Sequence, residues 1–264
     1  MRVTLLGCGA SGGVPLLGGP DGHGDWGACD PAEPRNRRLR SSVVVENGAA
    51  RRLLIDAGPD LRAQLLASGL VGLHAVAFSH AHADHMLGLD ELRIVNRIGG
   101  AALDAFGTHQ TLSELKSRFD YAFRPPTPPT FMRPALTARA VTPGETVAMA
   151  GMDVRLFRQD HRVMETLGFR IGRFAYSTDV VTLPEDSLAA LEGIDTWVVG
   201  CLQRTYHPVH ANVARVVEWV ARIRPRRCVL THMSTDLDWG WMRANLPPGI
   251  EPGFDGMVLE IADA

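Results

Sequence analysis

The sequence predicts an α/β protein in which two mixed β-sheets pack on each other and helices cover the outside. Three observations carry that expectation. Each half of the chain opens with short β-rich runs and ends in alternating strand and helix patterns. Hydrophobic residues make up 45% of the chain and charged residues 21%, the balance of an ordinary globular protein with a sizeable core. No linker-like segment separates the halves, so residues 1–264 are expected to form a single domain.

The elements follow in order. A β-run over 3–6 opens onto a loop over 7–34 dominated by glycine and proline. Strands are expected over 42–46 and 52–56, and Asn47-Gly48 between them is a hairpin signal. After Gly58-Pro59, Leu61, Leu65 and Leu66 predict the apolar face of a helix over 60–67. A strand over 75–79, a helix over 89–98, a strand over 103–106 and a helix over 108–119 come next. Pro125-Pro126-Thr127-Pro128-Pro129 excludes helix and inner strand and reads as a semi-rigid surface connector. The second half offers β-runs over 138–141, 146–148, 154–157, 168–171 and 174–177, then helix 185–191, strand 196–200, helix 211–222, strand 228–230, a short helix over 237–245 and a last strand over 257–261.

Composition excludes several classes. A formal net charge of −2 gives no basic footprint, so neither nucleic acid nor an anionic membrane surface is an expected partner. No apolar run approaches the ~18 residues that span a bilayer, and residues 1–6 lack the pattern of a secretory signal. A cytoplasmic protein is the expectation. Cys8, Cys29, Cys201 and Cys228 are widely spread with no C-x-x-C pair, which predicts reduced structural thiols.

One segment carries chemistry. His80-Ala81-His82-Ala83-Asp84-His85 follows the apolar run Ala75-Val76-Ala77-Phe78, with Ser79 between them. Neutral imidazole nitrogens and a carboxylate are a ligand set for Zn²⁺, Mn²⁺ or Fe²⁺. Beyond a strand end, side chains alternate, so an extended chain sends His80 and His82 to one side. A turn at Ala83 then releases Asp84 and His85 toward a second position, in the manner of hydrolytic sites whose paired metals stand about 3.5–4 Å apart. Three further residues, His161, Asp179 and His232, each lie just beyond the C-terminal end of a predicted strand, where active sites collect.

These residues, preceded by Leu54-Ile55-Asp56-Ala57-Gly58, resemble the metallo-β-lactamase superfamily. More narrowly, residues 7–15 (Gly-Cys-Gly-Ala-Ser-Gly-Gly-Val-Pro), Ser177-Thr178-Asp179, Leu230-Thr231-His232-Met233-Ser234 and Gly253-Phe254-Asp255-Gly256-Met257 are similar to the phosphoribosyl cyclic phosphate phosphodiesterases of phosphonate breakdown. The resemblance implies an αβ/βα sandwich with two divalent metal ions. It assigns His80, His82 and His161 to one metal, Asp84, His85 and His232 to the other, and Asp179 as the bridge. Asp56 would steady the histidine loop, and His210 would touch the phosphate and protonate the leaving oxygen. A homodimer is a common form among such relatives.

One departure stands out. Those phosphodiesterases carry a cysteine cluster after the first loop and a later histidine that together bind a structural zinc. Here, beyond residues 7–15, the loop holds only Cys29, and Thr235 occupies the later position, so the third metal is expected to be lost, with His23, Asp25 and Cys29 as its only remnant candidates. Gly7-x-Gly9-x-x-Gly12 matches a dinucleotide-binding fingerprint, but Gly13, Pro15, Gly18, Gly19 and Pro20 forbid the helix that motif needs.

The expected activity is metal-assisted hydrolysis of a small cyclic or nucleotide-like phosphodiester, with Asp84 and Asp179 orienting the attacking water and His210 as proton donor. Hydrolysis of a thioester or lactone is an alternative, and a non-catalytic accessory role in cofactor biosynthesis is another. Arg35, Arg37, Arg38 and Arg40 read as a solvated basic stretch, with a grip on an anionic substrate as the competing reading.

Overall fold

The computed structural model describes residues 1–70, 72–125 and 135–262; positions 126–129 of the proline-rich connector lie outside them. Strands β1 (Arg2–Gly7), β2 (Ser42–Glu46), β3 (Arg52–Ile55), β4 (Ala75–Ala77), β5 (Leu103–Gly107) and β6 (Leu136–Ala140) form the first sheet in that spatial order. The second runs β7 (Thr146–Met149), β8 (Met152–Asp160), β9 (Glu165–Ile171), β10 (Phe174–Ser177), β11 (Thr196–Gly200), β12 (Arg227–Thr231) and β13 (Ile250–Pro252), and β14 (Val258–Glu260) returns to flank β1. Pairing is antiparallel from β14 to β3 and from β7 to β10, and parallel from β3 to β6 and from β10 to β13. Both sheets therefore follow one plan, changing from antiparallel to parallel at β3 and at β10.

Period-two alternation builds the layers. Val43, Val45, Leu53, Ile55, Ala75 and Ala77 join one apolar cluster with Val154, Leu156 and Phe169 of the second sheet. Their alternates Val44, Leu54 and Val76 pack with Leu61, Leu65, Leu92 and Leu112 from helices α1 (Leu61–Ser68), α3 (Leu92–Gly99) and α4 (His109–Arg118). A four-residue turn of helix, α2 (Ala83–Met86), lies between α1 and α3, and α5 (Asp120–Phe123) follows α4. Helices α6 (Glu185–Ala190), α7 (Val213–Ile223) and α8 (Trp239–Asn245) belong to the second half. There Trp197 packs against Trp219 of α7 with ring centroids 6.1 Å apart, and its indole N–H donates to Ser177 Oγ at 3.0 Å.

The fold is the two-sheet α/β sandwich expected, with local corrections. Leu66 is 65% exposed; Gln64 takes the buried position of α1 and donates to the Arg40 carbonyl at 2.8 Å. Pairing of Glu46 with Arg52 leaves a loop over 47–51 in place of a two-residue Asn-Gly turn. Asn47 Oδ1 closes that loop by accepting from the Ala49 and Arg51 amides, and the positive φ falls at Ala50. Strand β13 was not expected, since a proline-flanked edge strand of three residues carries little β signal. Helix α7 starts two positions later than predicted because Asn212 caps it, accepting from Arg215 N at 3.2 Å. The glycine-rich start leads into no helix: a Cβ on Gly7 would stand 2.1 Å from the Arg40 carbonyl oxygen, so close backbone approach accounts for the glycine. Among the described residues no helix is long and apolar enough to cross a membrane.

Candidate metal centre

The C-terminal ends of five strands deliver the predicted residues to one place. Asp56 follows β3, the His80–His85 segment follows β4, His161 follows β8, Asp179 follows β10 and His232 follows β12. Asp56, Asp179 and His232 all adopt positive φ, between 50° and 65°, which disfavours L-residues and is typical of strain held at functional sites. The histidine segment is pressed into position by backbone. A Cβ on Gly88 would lie 1.9 Å from the Gly58 oxygen and one on Gly58 2.1 Å from the Asp84 oxygen, while Ala57 N donates to the His85 carbonyl at 2.7 Å.

The ligand atoms fall into overlapping groups, each lying within 4.8 Å of one another: His80, His82, His161 and Asp179; Asp84, His85 and His232; and Asp179, His210 and His232. The first two groups contain the two sets that the resemblance implied. Asp179 lies between them, with Oδ2 3.0 Å from His85 Nε2 and Oδ1 3.3 Å from His232 Nε2 and 3.7 Å from His161 Nε2. His210 adds itself to the third group, with Nδ1 3.7 Å from Asp179 Oδ1 and its ring stacked on His232.

Hydrogen bonds behind the cluster fix which nitrogens face it. Asp56 is fully buried and accepts from Ser79 N at 2.7 Å, from Ser79 Oγ at 2.8 Å and from His85 Nδ1 at 2.7 Å. With its proton given to Asp56, Ser79 Oγ accepts from His80 Nδ1 at 3.0 Å. His161 Nδ1 donates to the Val209 carbonyl at 2.7 Å. The Nε2 lone pairs of His80, His85 and His161 are thereby turned inward. Thr178 Oγ1 donates to Asp179 Oδ2 at 2.8 Å.

Two observations test whether divalent cations fit. Buried His85 Nε2 has no hydrogen-bond partner among the described residues, although carboxylate oxygens of Asp179 and Asp84 lie 3.0 and 3.1 Å away. His80 Nε2 lies 2.9 Å from His82 Nδ1, so two nitrogens meet at a distance that requires a proton or a cation. Charge tells the same story. Burial disfavours a charge on His85, yet Asp179, Asp56 and Asp84 outweigh it and hold its pKa well above the usual imidazole range. Burial raises Asp179 and Asp84, yet for Asp179 the charges of His232 and His85, and for Asp84 that of His85, win and keep both well below the carboxylate range. Burial lowers His80 and His161, leaving both neutral and able to donate a lone pair. The cluster demands positive charge and offers N/O donors, which fits divalent cations.

The remaining expectations divide. Arg38 contradicts the reading of a solvated basic stretch. It is 1% exposed and donates to Ser234 O at 3.1 Å, Leu237 O at 2.6 Å and Asn36 Oδ1 at 3.0 Å, tying the first loop to the chain beyond His232. Arg40 pairs with Asp60 at 2.8 Å, Arg35 with Glu33 at 2.6 Å, and Arg37 lies over the Trp26 ring. Cys29 Sγ lies 3.9 Å from Arg38 Nη1, and His23, Asp25 and Cys29 form no metal-capable group among the described residues. Buried Arg38 thus stands beside Cys29. The supporting roles of Ser79, Thr178 and the Val209 carbonyl were not read from the sequence. A serine next to a ligand histidine is a weak signal, and a backbone carbonyl is none.

Comparison with known proteins fits this geometry. The beta-lactamase superfamily domain matches residues 51–233. A solved diphosphatase from the PhnP family superposes with a TM-score of 0.88 at 31% identity, covering 99% of this chain and 98% of that one. Zn²⁺-bound PqqB from Methylobacterium extorquens shares the fold, with a TM-score of 0.78 at 21% identity and coverage of 99% and 100%. An octanoyltransferase of Porphyromonas gingivalis is 31% identical over 260 residues, 97% of this chain but 51% of that protein, so this chain spans half its length. A ribonuclease Z of Mycobacterium sp. (strain KMS) is 28% identical over 263 residues, 86% of this chain and 92% of that protein. The strand-end cluster and these likenesses agree: the chain belongs to the metallo-β-lactamase superfamily of hydrolases.

Proposed function

We propose that residues 1–264 form one catalytic domain that hydrolyses a small phosphodiester at a two-cation site. The observation that carries this reading is the sharing of Asp179 between the two donor groups, with His210 beside it. His80, His82 and His161 would hold one cation and Asp84, His85 and His232 the other, with Asp179 common to both. Divalent cations there, Zn²⁺, Mn²⁺ or Fe²⁺, supply a lowered pKa for water and neutralise charge on the phosphoryl oxygens. Asp84 and Asp179, ionised at neutral pH, accept hydrogen bonds from the attacking water and aim it. His210 is 16% exposed beside Asp179, and its N–H would serve the departing oxygen. Burial, then the charge of His232, pushes His210 down to about 3, so the substrate-free imidazole is neutral. An anionic phosphoester alongside supplies the negative charge that favours its protonated form.

A second reading is cleavage of a diphosphate, favoured by the 31% identical diphosphatase. Purified protein loaded with Zn²⁺ or Mn²⁺ is assayed against bis-p-nitrophenyl phosphate, pyrophosphate esters, and a panel of lactones and thioesters. Release of p-nitrophenol, abolished in His82→Ala with the fold retained, supports the proposal. Turnover confined to carbonyl substrates refutes it, and a purified protein without metal or activity favours the accessory role.

A further inference from the structure

A cavity of about 170 Å³ opens from His80 and His82 toward α4. Gln110, Glu114 and Arg118 of α4 line it, together with Met164 and Glu165 at the turn into β9. Thr108 Oγ1 already caps α4, accepting from Thr111 N at 3.1 Å. What the cavity offers a ligand is therefore side-chain chemistry.

Its charge selects what can enter. Glu114 and Arg118 are paired on successive turns of α4, which cancels their charges, and Glu165, the second carboxylate of the lining, lies 3.8 Å from Arg158 Nε. With both carboxylates paired, the wall leaves no spare cation to hold a second phosphate. It accepts a neutral polar group. The Gln110 amide presents a donor and an acceptor on an exposed side chain, the pattern that pairs with the edge of a nucleobase. Met164, half-buried, gives a polarisable apolar surface for a ring. The phosphoryl group would lie at the His80 and His82 end, and whatever is esterified to it would extend along α4.

We propose that this cavity seats the nucleoside moiety of the substrate and that Gln110 determines specificity for it. The inference rests on the phosphodiesterase reading for its link to turnover, and on the cavity alone for binding. It places a neutral ring, and not a second phosphate, beside the histidine cluster.

The test compares wild type with Gln110→Trp, which adds bulk at the cavity from an exposed position. Two p-nitrophenyl esters are used, that of thymidine 5′-phosphate and that of methyl phosphate. In Gln110→Trp the ratio of kcat/KM for the thymidine ester to that for the methyl ester falls roughly tenfold, mainly through KM, the scale of one lost ring contact. Calorimetric titration with thymidine 5′-monophosphate and with pyrophosphate needs no turnover, and there the affinity ratio falls likewise. Equal losses for both ligands, an unchanged ratio, or failure of the wild type to bind the nucleotide overturns the proposal. If the wild type cleaves neither ester while nucleotide binding still discriminates it from the variant, the phosphodiesterase reading fails and the pocket stands.

Discussion

Replacing Asp56 by Asn exchanges one carboxylate oxygen for an NH₂ group and removes a negative charge, at a position fully shielded from solvent, so the effect can be worked out. Its Oδ1 accepts from the Ser79 amide at 2.7 Å, and an asparagine oxygen can keep that bond. The other position then becomes an NH₂ group where Ser79 Oγ and His85 Nδ1 both pointed, at 2.8 and 2.7 Å. His85 must accept at Nδ1, which moves its proton to Nε2, the atom facing Asp84 and Asp179. Loss of such an outer partner typically costs ~10–100-fold in metal affinity, or about 1.4–2.8 kcal/mol. Chelator competition with Zn²⁺ measures the affinity, and ¹⁵N NMR of the loaded protein locates the His85 proton. Wild-type affinity in Asp56→Asn, or lost affinity with the proton still on Nδ1, would refute the tautomer argument.

Three other outcomes are expected. Arg38→Lys keeps the charge but cannot span Asn36, Ser234 and Leu237; urea unfolding should show a loss of about 2–3 kcal/mol, since hydrogen bonds to charged groups contribute ~1.5–3 kcal/mol each, and an unchanged midpoint counts against the clip. Gly88→Ala drives a Cβ into the Gly58 oxygen, so melting temperature and Zn²⁺ affinity should fall together, by roughly 1–3 kcal/mol in stability; a drop in neither means the loop yields freely. Burial pushes the Asp255 carboxyl up to about 6 against the hydrogen bonds from Leu39 and Cys8. The unfolded carboxyl ionises near pH ~3.9, so the stabilising contribution is complete below that pH and is lost as pH rises through about 6. The stability difference between wild type and Asp255→Asn should therefore shrink over this window and stay flat above it; a difference that grows with pH reverses the sign.

The sandwich was legible because β2, β3 and β4 are apolar on both faces and helix-period patterns stand between the parallel strands. The candidate ligand residues were legible because imidazoles and carboxylates at strand ends have few structural alternatives. What stayed hidden depends on partners remote in sequence. Leu66 and Gln64 exchange places on α1 because Arg40 offers a carbonyl to the amide. The 47–51 loop has its shape from the Asn47 side chain, which overrides the Asn-Gly preference. Arg38 is read as solvated until the chain around residues 234–237, some 200 positions away, supplies its acceptors. His85 and Asp56 are separated by 29 positions, and only the parallel pairing of β3 with β4 brings them together.

The common plan of the two sheets has a mechanical consequence. Asp56 and the histidine segment ride on the first sheet, whereas His161, Asp179, His210 and His232 ride on the second, so the site is a seam between two jaws. Any slippage of one sheet over the apolar layer separates donors that must stay within 4.8 Å. Cations gripped across the seam would rivet the jaws shut, since ligand at 100 times its Kd adds about 2.7 kcal/mol to stability. Resistance to heat then becomes a gauge of occupancy, and a substitution deep between the sheets can weaken the metal centre without touching any residue in it.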